Sequence, residues 1–447
     1  MSLNLVQPGD SEYPALCSAW NAGLQHRPAL ILAARSAEEI AEAVAHASDR
    51  GLRVRVQATG HGALRPATGD DLLIVTSGMT GVTIEDDTAL VQPGTKWKAV
   101  LDAAHPHGLA PLLGSTSDVG VIGYSLGGGL GFLARKYGLA ADAIVELQLA
   151  CGDGRLRWVD DTSDPELMGA MRGCGPSFGV VTAMRTRLVP AAEVYGGTMF
   201  WPAELAREVI LAYRSWVSGT PVELTSAVGV LHVPDLPSIP EPMRGQSFTR
   251  VCLCHCGPDF SGVEELLAPL RAVPGLIADM TQRMPSTRMD EITMDPTEPL
   301  PFAIRGEMMA DLTDEAVDYL ASISPREREP YLLWLTRHVG GMPYRNAGLG
   351  WAQGEFVTEA VSVVPDESLA GVVRAFGDRF SAGLRSAATG YTPLNFVGSP
   401  EETGLAFTSQ YGTHLAELKK RHDPTNLFGG DRPLQTDISS ERNPRMM

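Results

Sequence analysis

The sequence predicts an α+β protein in two parts. The first part interleaves short helices and strands around glycine-rich loops, and the second is built on an antiparallel sheet. Three observations carry this reading. Helix and strand signals alternate over the first 190 residues. Seven glycines then crowd between Gly114 and Gly131, a density that no regular helix or strand sustains. From about residue 196, longer alternating strands and amphipathic helices take over. The chain of 447 residues is 44% apolar, enough for a sizeable core. A net charge of −17 argues against nucleic-acid binding and against a polybasic membrane surface.

Each element has a local reason. Ser36 followed by Glu39 predicts a helix start, with Ile40, Ala43, Val44 and Ala47 on its buried face and Gly51 at its end. Arg53 to Gln57 alternates as a strand and runs into the turn Gly60-His61-Gly62. Residues 72–75, 89–91, 145–151 and 179–188 read as further strands. Beyond them, 204–216 predicts a helix, 249–256 a strand, and 263–268 a short helix stopped by Pro269. The remaining pattern gives a loop at 234–242, a helix at 314–322, and strands at 331–336 and 356–364. A helix at 366–380 presents Leu369, Val372, Val373, Phe376 and Phe380 on one face, and a last helix spans 411–421.

The glycine run Gly120 to Gly131 is the strongest chemical signal. Successive glycines either make a tight structural loop or let backbone N–H groups approach a phosphate. The run matches neither a dinucleotide fingerprint nor a P-loop. A second cluster, Arg172 to Thr182, makes a pyrophosphate or flavin cradle the stronger reading. His61, between two glycines, is either a turn histidine or one exposed to meet another ring. Cys252, Cys254 and Cys256 share one strand face with His255 turned away, which suits core cysteines rather than a metal site. Ser125 sits in a G-x-S-x-G pattern, but inside a longer glycine loop rather than at a nucleophile elbow. No apolar run is long enough for a membrane helix, and the first residues lack a secretory pattern. With six sparse cysteines, the expectation is a cytoplasmic protein, monomer or homodimer.

The order of these motifs resembles a family. Gly60-His61-Gly62 follows a strand. Val119 to Gly131 comes next, then Lys136 to Asp142, then Gly173 to Thr182, and finally Tyr411-Gly412 with His422 to Phe428. This is similar to the FAD-linked oxidases of the vanillyl-alcohol oxidase/p-cresol methylhydroxylase superfamily, berberine-bridge-enzyme-like branch, over nearly the whole chain. The resemblance implies FAD as cofactor and an FAD-binding domain of two pieces, 1–190 and a C-terminal return at 385–447. An α+β substrate domain, 191–384, is inserted between them. It implies a histidine–flavin bond at His61, and loop contacts from Thr59, Gly60, Gly62, Gly114, Ser115, Thr116, Val119, Gly120, Gly123 and Tyr124. Further contacts fall to Gly127, Gly128, Gly129, Gly131, Gly175, Gly179, Val181, Asn395 and Asn426. The chain departs from the family in carrying Thr59 where a glycine is usual. Thr116 stands where many members place a second, thioether-forming cysteine, so a single covalent link is expected. Val119 falls where small residues accompany oxygen access.

The resemblance implies an oxidase that takes a hydride from a small alcohol, amine or phenol/hydroquinone of natural-product or secondary metabolism, reduces oxygen to peroxide, and needs a base near the flavin. Tyr391, Asn395, Tyr344 and Trp351 are the candidates for the catalytic site, with Glu355 and Arg337 behind them. Trp334 and Trp351 could also stack on an aromatic substrate, or serve the core. The competing readings are a dehydrogenase using another acceptor, and a drug-binding protein that keeps the flavin fold without turnover.

Overall fold

The computed structural model describes residues 3–235, 237, 239, 241–325, 329–346, 348–429 and 434, with Gln353 by its backbone alone. Part of the predicted loop 234–242 and most of the tail beyond 429 lie outside the described residues.

Three sheets organise the chain. A four-stranded sheet has the spatial order Leu5–Val6, Leu30–Ala33, Asp71–Val75, Arg53–Gln57, and its last three strands run parallel. Helix Ala37–Arg50 packs on it. The Ser36 hydroxyl accepts from the Glu39 amide, and Gly51 closes the helix in the left-handed region at φ 66°. Glu39 returns its carboxylate to the Arg35 amide, one residue outside the box the sequence predicts. An antiparallel sheet of five strands follows: Val82–Glu85, Thr88–Val91, Val180–Arg187, Ile144–Ala150, Leu156–Asp160.

The third sheet draws all its strands from Glu193 to Val363, and all its pairings are antiparallel. Its main order is Ala278–Asp279, Glu193–Pro202, Ser247–His255, Leu224–His232, Leu333–His338, Phe356–Val363, Phe302–Met309. One face is covered by helices Ala206–Val217, Val263–Arg271, Asp314–Ile323 and Ala370–Gly383. They bury Val228, Val230, Trp334, Phe356 and Ala360 in one apolar cluster. The other face turns Cys252, Met308 and Val357 into a second cluster, shared with the glycine-loop region. The α+β class with antiparallel sheets is as the sequence predicts.

Two expectations are corrected. Helix Val263–Arg271 runs through Pro269. Pro269 and Glu265 are both exposed, so the carbonyl that loses its amide donor is left to water. In helix Ala370–Gly383 only Val373, Phe376, Gly377 and Phe380 are buried, whereas Leu369 and Val372 are exposed. Leu369 belongs to the preceding short 3-10 turn, and Val372 lies a helical step off the packed stripe.

Candidate active site

The glycine-rich segment folds into two short helices, Val121–Leu126 and Ala134–Tyr137, joined by tight turns. Most of its glycines are dictated by protein close to their α-carbons. A Cβ on Gly131 would meet the Leu113 carbonyl oxygen at 1.8 Å. One on Gly129, at φ +73°, would meet Ala140 and the Tyr124 ring at 2.6 Å, and one on Gly127 would meet Asn395 at 2.6 Å. Gly114 also closes on the Tyr124 ring. Tyr124 is thus the wedge around which the loop folds. Its hydroxyl is buried without a hydrogen-bond partner among the described residues, and burial pushes its pKa well above the ordinary value. Gly123 faces open space instead, and Gly120 sits at ordinary contact distance from Ala58 and Thr59. Gly175, at φ 79°, ties the second glycine cluster to the first by donating its amide to Leu126. Gly179 closes on the Ala150 carbonyl, and Val181 is buried in the five-stranded sheet. Ser125 is buried in its helix and donates to the Val121 carbonyl, so it offers no exposed nucleophile.

His61 stands at the edge of this region. Its Nδ1 pairs with the Thr59 hydroxyl at 2.9 Å, and its ring stacks on Trp20 with centroids 4.3 Å apart. Its Nε2 is buried and has no hydrogen-bond partner among the described residues. Burial pulls its pKa down to about 4, with Asp118 opposing and Lys96 assisting. The imidazole is therefore neutral at neutral pH, with one nitrogen uncommitted. An orphaned nitrogen, on a ring held by Thr59, which also touches Gly120, fits the edge of a flavin. Trp20, from a segment with no motif, was not legible in the sequence.

The loop Ser115–Asp118 is braced from the large sheet's side of the molecule. Asp290 accepts from the Ser117 amide at 2.7 Å and from its hydroxyl, and the Thr293 hydroxyl donates to the Ser115 carbonyl. Thr116 accepts from the Asp118 amide. Asn395 braces the other loop, accepting from the Gly129 amide and donating to the Tyr124 carbonyl. Trp351 is buried against Gly128, and its indole N–H has no partner among the described residues. Tyr391 packs on Gly350 at the rim of the same cluster.

The structure does not bring every candidate together. Tyr344 lies exposed on a loop. Glu355 is exposed and faces His338. Trp334 lies under the helices on the far face. Asn426 is an exposed turn residue at φ 56°, packed against Gly429.

The face of the large sheet that meets the glycine loops carries a residue the sequence reading missed. Strand register aligns Arg250, Gly229, Leu335, Glu359 and Gly306 in one row across five strands. The next row inward holds Cys252, Ala227, Arg337, Val357 and Met308. Arg337 donates to the Leu130 carbonyl and lies over the Phe132 ring, so this face looks onto the glycine loops. Among the described residues, the Glu359 carboxyl makes no hydrogen bond or ion pair. Burial raises its pKa to about 7, Arg337 and Arg250 oppose that, and Asp295 adds to it. The signal available in the sequence was one carboxylate amid the apolar alternation Val357, Val361, Val363.

Comparison with known proteins agrees with this geometry. Residues 28–160 match the family described as FAD binding domain. The chain is 26% identical to (R)-6-hydroxynicotine oxidase of Paenarthrobacter nicotinovorans, over 95% of this chain and 94% of that protein. The chain thus carries an FAD binding domain, and the relatives it is similar to are named FAD-linked oxidoreductases and oxidases. Xylooligosaccharide oxidase of Thermothelomyces thermophilus is 30% identical over 40% of this chain and 38% of that protein. Among solved structures, 6-hydroxy-D-nicotine oxidase from Arthrobacter nicotinovorans superposes with a TM-score of 0.83 at 22% identity. It covers 99% of this chain and 98% of its own. BBE-like 1 of Physcomitrella patens gives 0.82 at 18% identity, over 98% and 97%. These two establish the fold of the oxidoreductase. The family match establishes FAD as its cofactor. No helix among the described residues is long and apolar enough to cross a membrane.

Proposed function

We propose that this oxidoreductase is an oxidase of small alcohols or amines, with Glu359 as the base. FAD, when bound, would supply the acceptor for a hydride from the substrate carbon and the chemistry that reduces oxygen to peroxide. The observation that carries the reading is the unpartnered Glu359 carboxyl, set opposite the glycine loops with Arg337 and Arg250 nearby. A base must be ionised and within reach of the proton it removes. A carboxyl titrating near neutrality, with no internal partner, meets both needs. The hydroxyl or amine proton passes to Glu359 as the carbon–oxygen or carbon–nitrogen double bond forms. The neutral His61 Nε2 supplies the attachment point for a single covalent flavin link. Asp290 and Asn395 act as positioning residues, holding the two loops that border the flavin. This reading divides the chain into an FAD-binding part, 1–190 with 385–447, and a substrate part, 191–384. The test is to reduce the purified flavoprotein with dithionite without air and then admit oxygen. Oxidised flavin returning within seconds, with stoichiometric peroxide, supports the oxidase. Flavin that stays reduced in air until a dye acceptor is added shows a dehydrogenase.

A further inference from the structure

On the reading of Glu359 as base, we propose that Leu231, Leu333 and Val361 form the subsite for the unreactive body of the substrate, which is a hydrophobic alcohol or amine and not an oligosaccharide. Strand register sets Phe248, Leu231, Leu333, Val361 and Ile304 in one row on the same sheet face as Glu359. The row is one alternation outward along each strand, so Val361 is about 7 Å along the chain from Glu359. Adjacent strands lie about 4.8 Å apart, so Leu231, Leu333 and Val361 make an apolar stripe roughly 10 Å across. All three are half-buried. None belongs to or packs against an apolar cluster of the core, whereas Ile304 at the end of the row does. Among the described residues, the stripe is therefore apolar surface only partly covered by the protein itself, contiguous with the unpartnered Glu359 carboxyl.

Two buried arginines lie in and beside the Glu359 row, and each keeps an Nε without a partner among the described residues. Arg250 donates to the Thr293 carbonyl and Arg337 to the Leu130 carbonyl, and both are buried. The row holds no hydroxyl, amide or charged side chain. A saccharide laid along it would bury hydroxyls without partners, a penalty that an alkyl or aryl body avoids.

The experiment mixes the oxidised holoprotein anaerobically with para-butylbenzyl alcohol, para-butylbenzylamine or xylobiose and follows loss of the oxidised-flavin absorbance. The expected result is bleaching by at least one aryl compound and none by xylobiose. Leu333→Asp is expected to raise KM for that compound about tenfold with kcat little changed, and Leu333→Met to keep the wild-type KM. Bleaching by xylobiose alone, bleaching by no compound, or an unchanged KM in Leu333→Asp would overturn the subsite. The base reading fails separately. If xylobiose bleaches the wild type but not Glu359→Gln, Glu359 stands and the substrate class falls. If an aryl compound bleaches Glu359→Gln as fast as wild type, the subsite stands and the base falls.

Discussion

Glu359 must lose a proton before it can take one, so its raised pKa sets the pH response of the enzyme. The rate of flavin reduction is expected to rise with pH and level off above an inflection near 7. Glu359→Gln should lose that inflection and slow reduction by about 10²–10⁴-fold, as stopped-flow traces across pH would show. The same carboxyl carries a stability signature. Its folded pKa lies above the ordinary 4.5, so the protonated form favours folding. That contribution is complete below pH 4.5 and is lost as pH rises through about 7. Thermal unfolding of Glu359→Gln at pH 8 should therefore occur at or above the wild-type temperature, and a large fall would contradict the placement. His61 was legible as a candidate because flanking glycines single it out. Its Trp20 platform was not, since stacking depends on a contact that no local pattern encodes.

At the scale of elements, the glycine-rich segment was legible as unusual, but its reason was only half legible. The sequence pointed to a ligand, while the coordinates give Gly127, Gly129 and Gly131 to the protein's own packing. Spacing cannot reveal that Tyr124, Leu113 and Asn395 close on those α-carbons from distant parts of the chain. Two alanine variants separate the roles. Gly131→Ala drives a methyl into the Leu113 carbonyl and should cost about 3 kcal/mol or more, visible as a large fall in Tm. Gly123→Ala adds a methyl to open space and should leave Tm within about a degree or two, and any loss it causes should appear in flavin binding. Three strands of the large sheet, Ser247–His255, Leu333–His338 and Phe356–Val363, were readable from alternation within about two residues, whereas Glu193–Pro202, Leu224–His232 and Phe302–Met309 were passed over. Alternation does not say which of two faces meets a cofactor, so Glu359 was passed over.

Across the whole molecule, the glycine-loop region and the large sheet are joined by specific hydrogen bonds as well as by apolar packing. Arg135, on the short helix after the glycine run, is buried and donates to the Gly340, Pro221 and Leu224 carbonyls and to the Thr220 hydroxyl. Arg135→Ala would strand several of these acceptors, and denaturant unfolding should register a loss of about 3 kcal/mol or more. Asp290 joins the same two regions at the flavin-side loop. Such long-range ties were not legible, because the partners stand about 80 to 200 residues apart. The account as a whole rests on a flavin held at His61. The most direct measurement is the visible spectrum of the purified protein and of its acid-precipitated pellet, for wild type and His61→Ala. The account predicts a yellow wild-type pellet and a variant whose flavin is released to the supernatant. A colourless wild-type pellet with free FAD in solution, or a His61→Ala pellet that stays yellow, would contradict it.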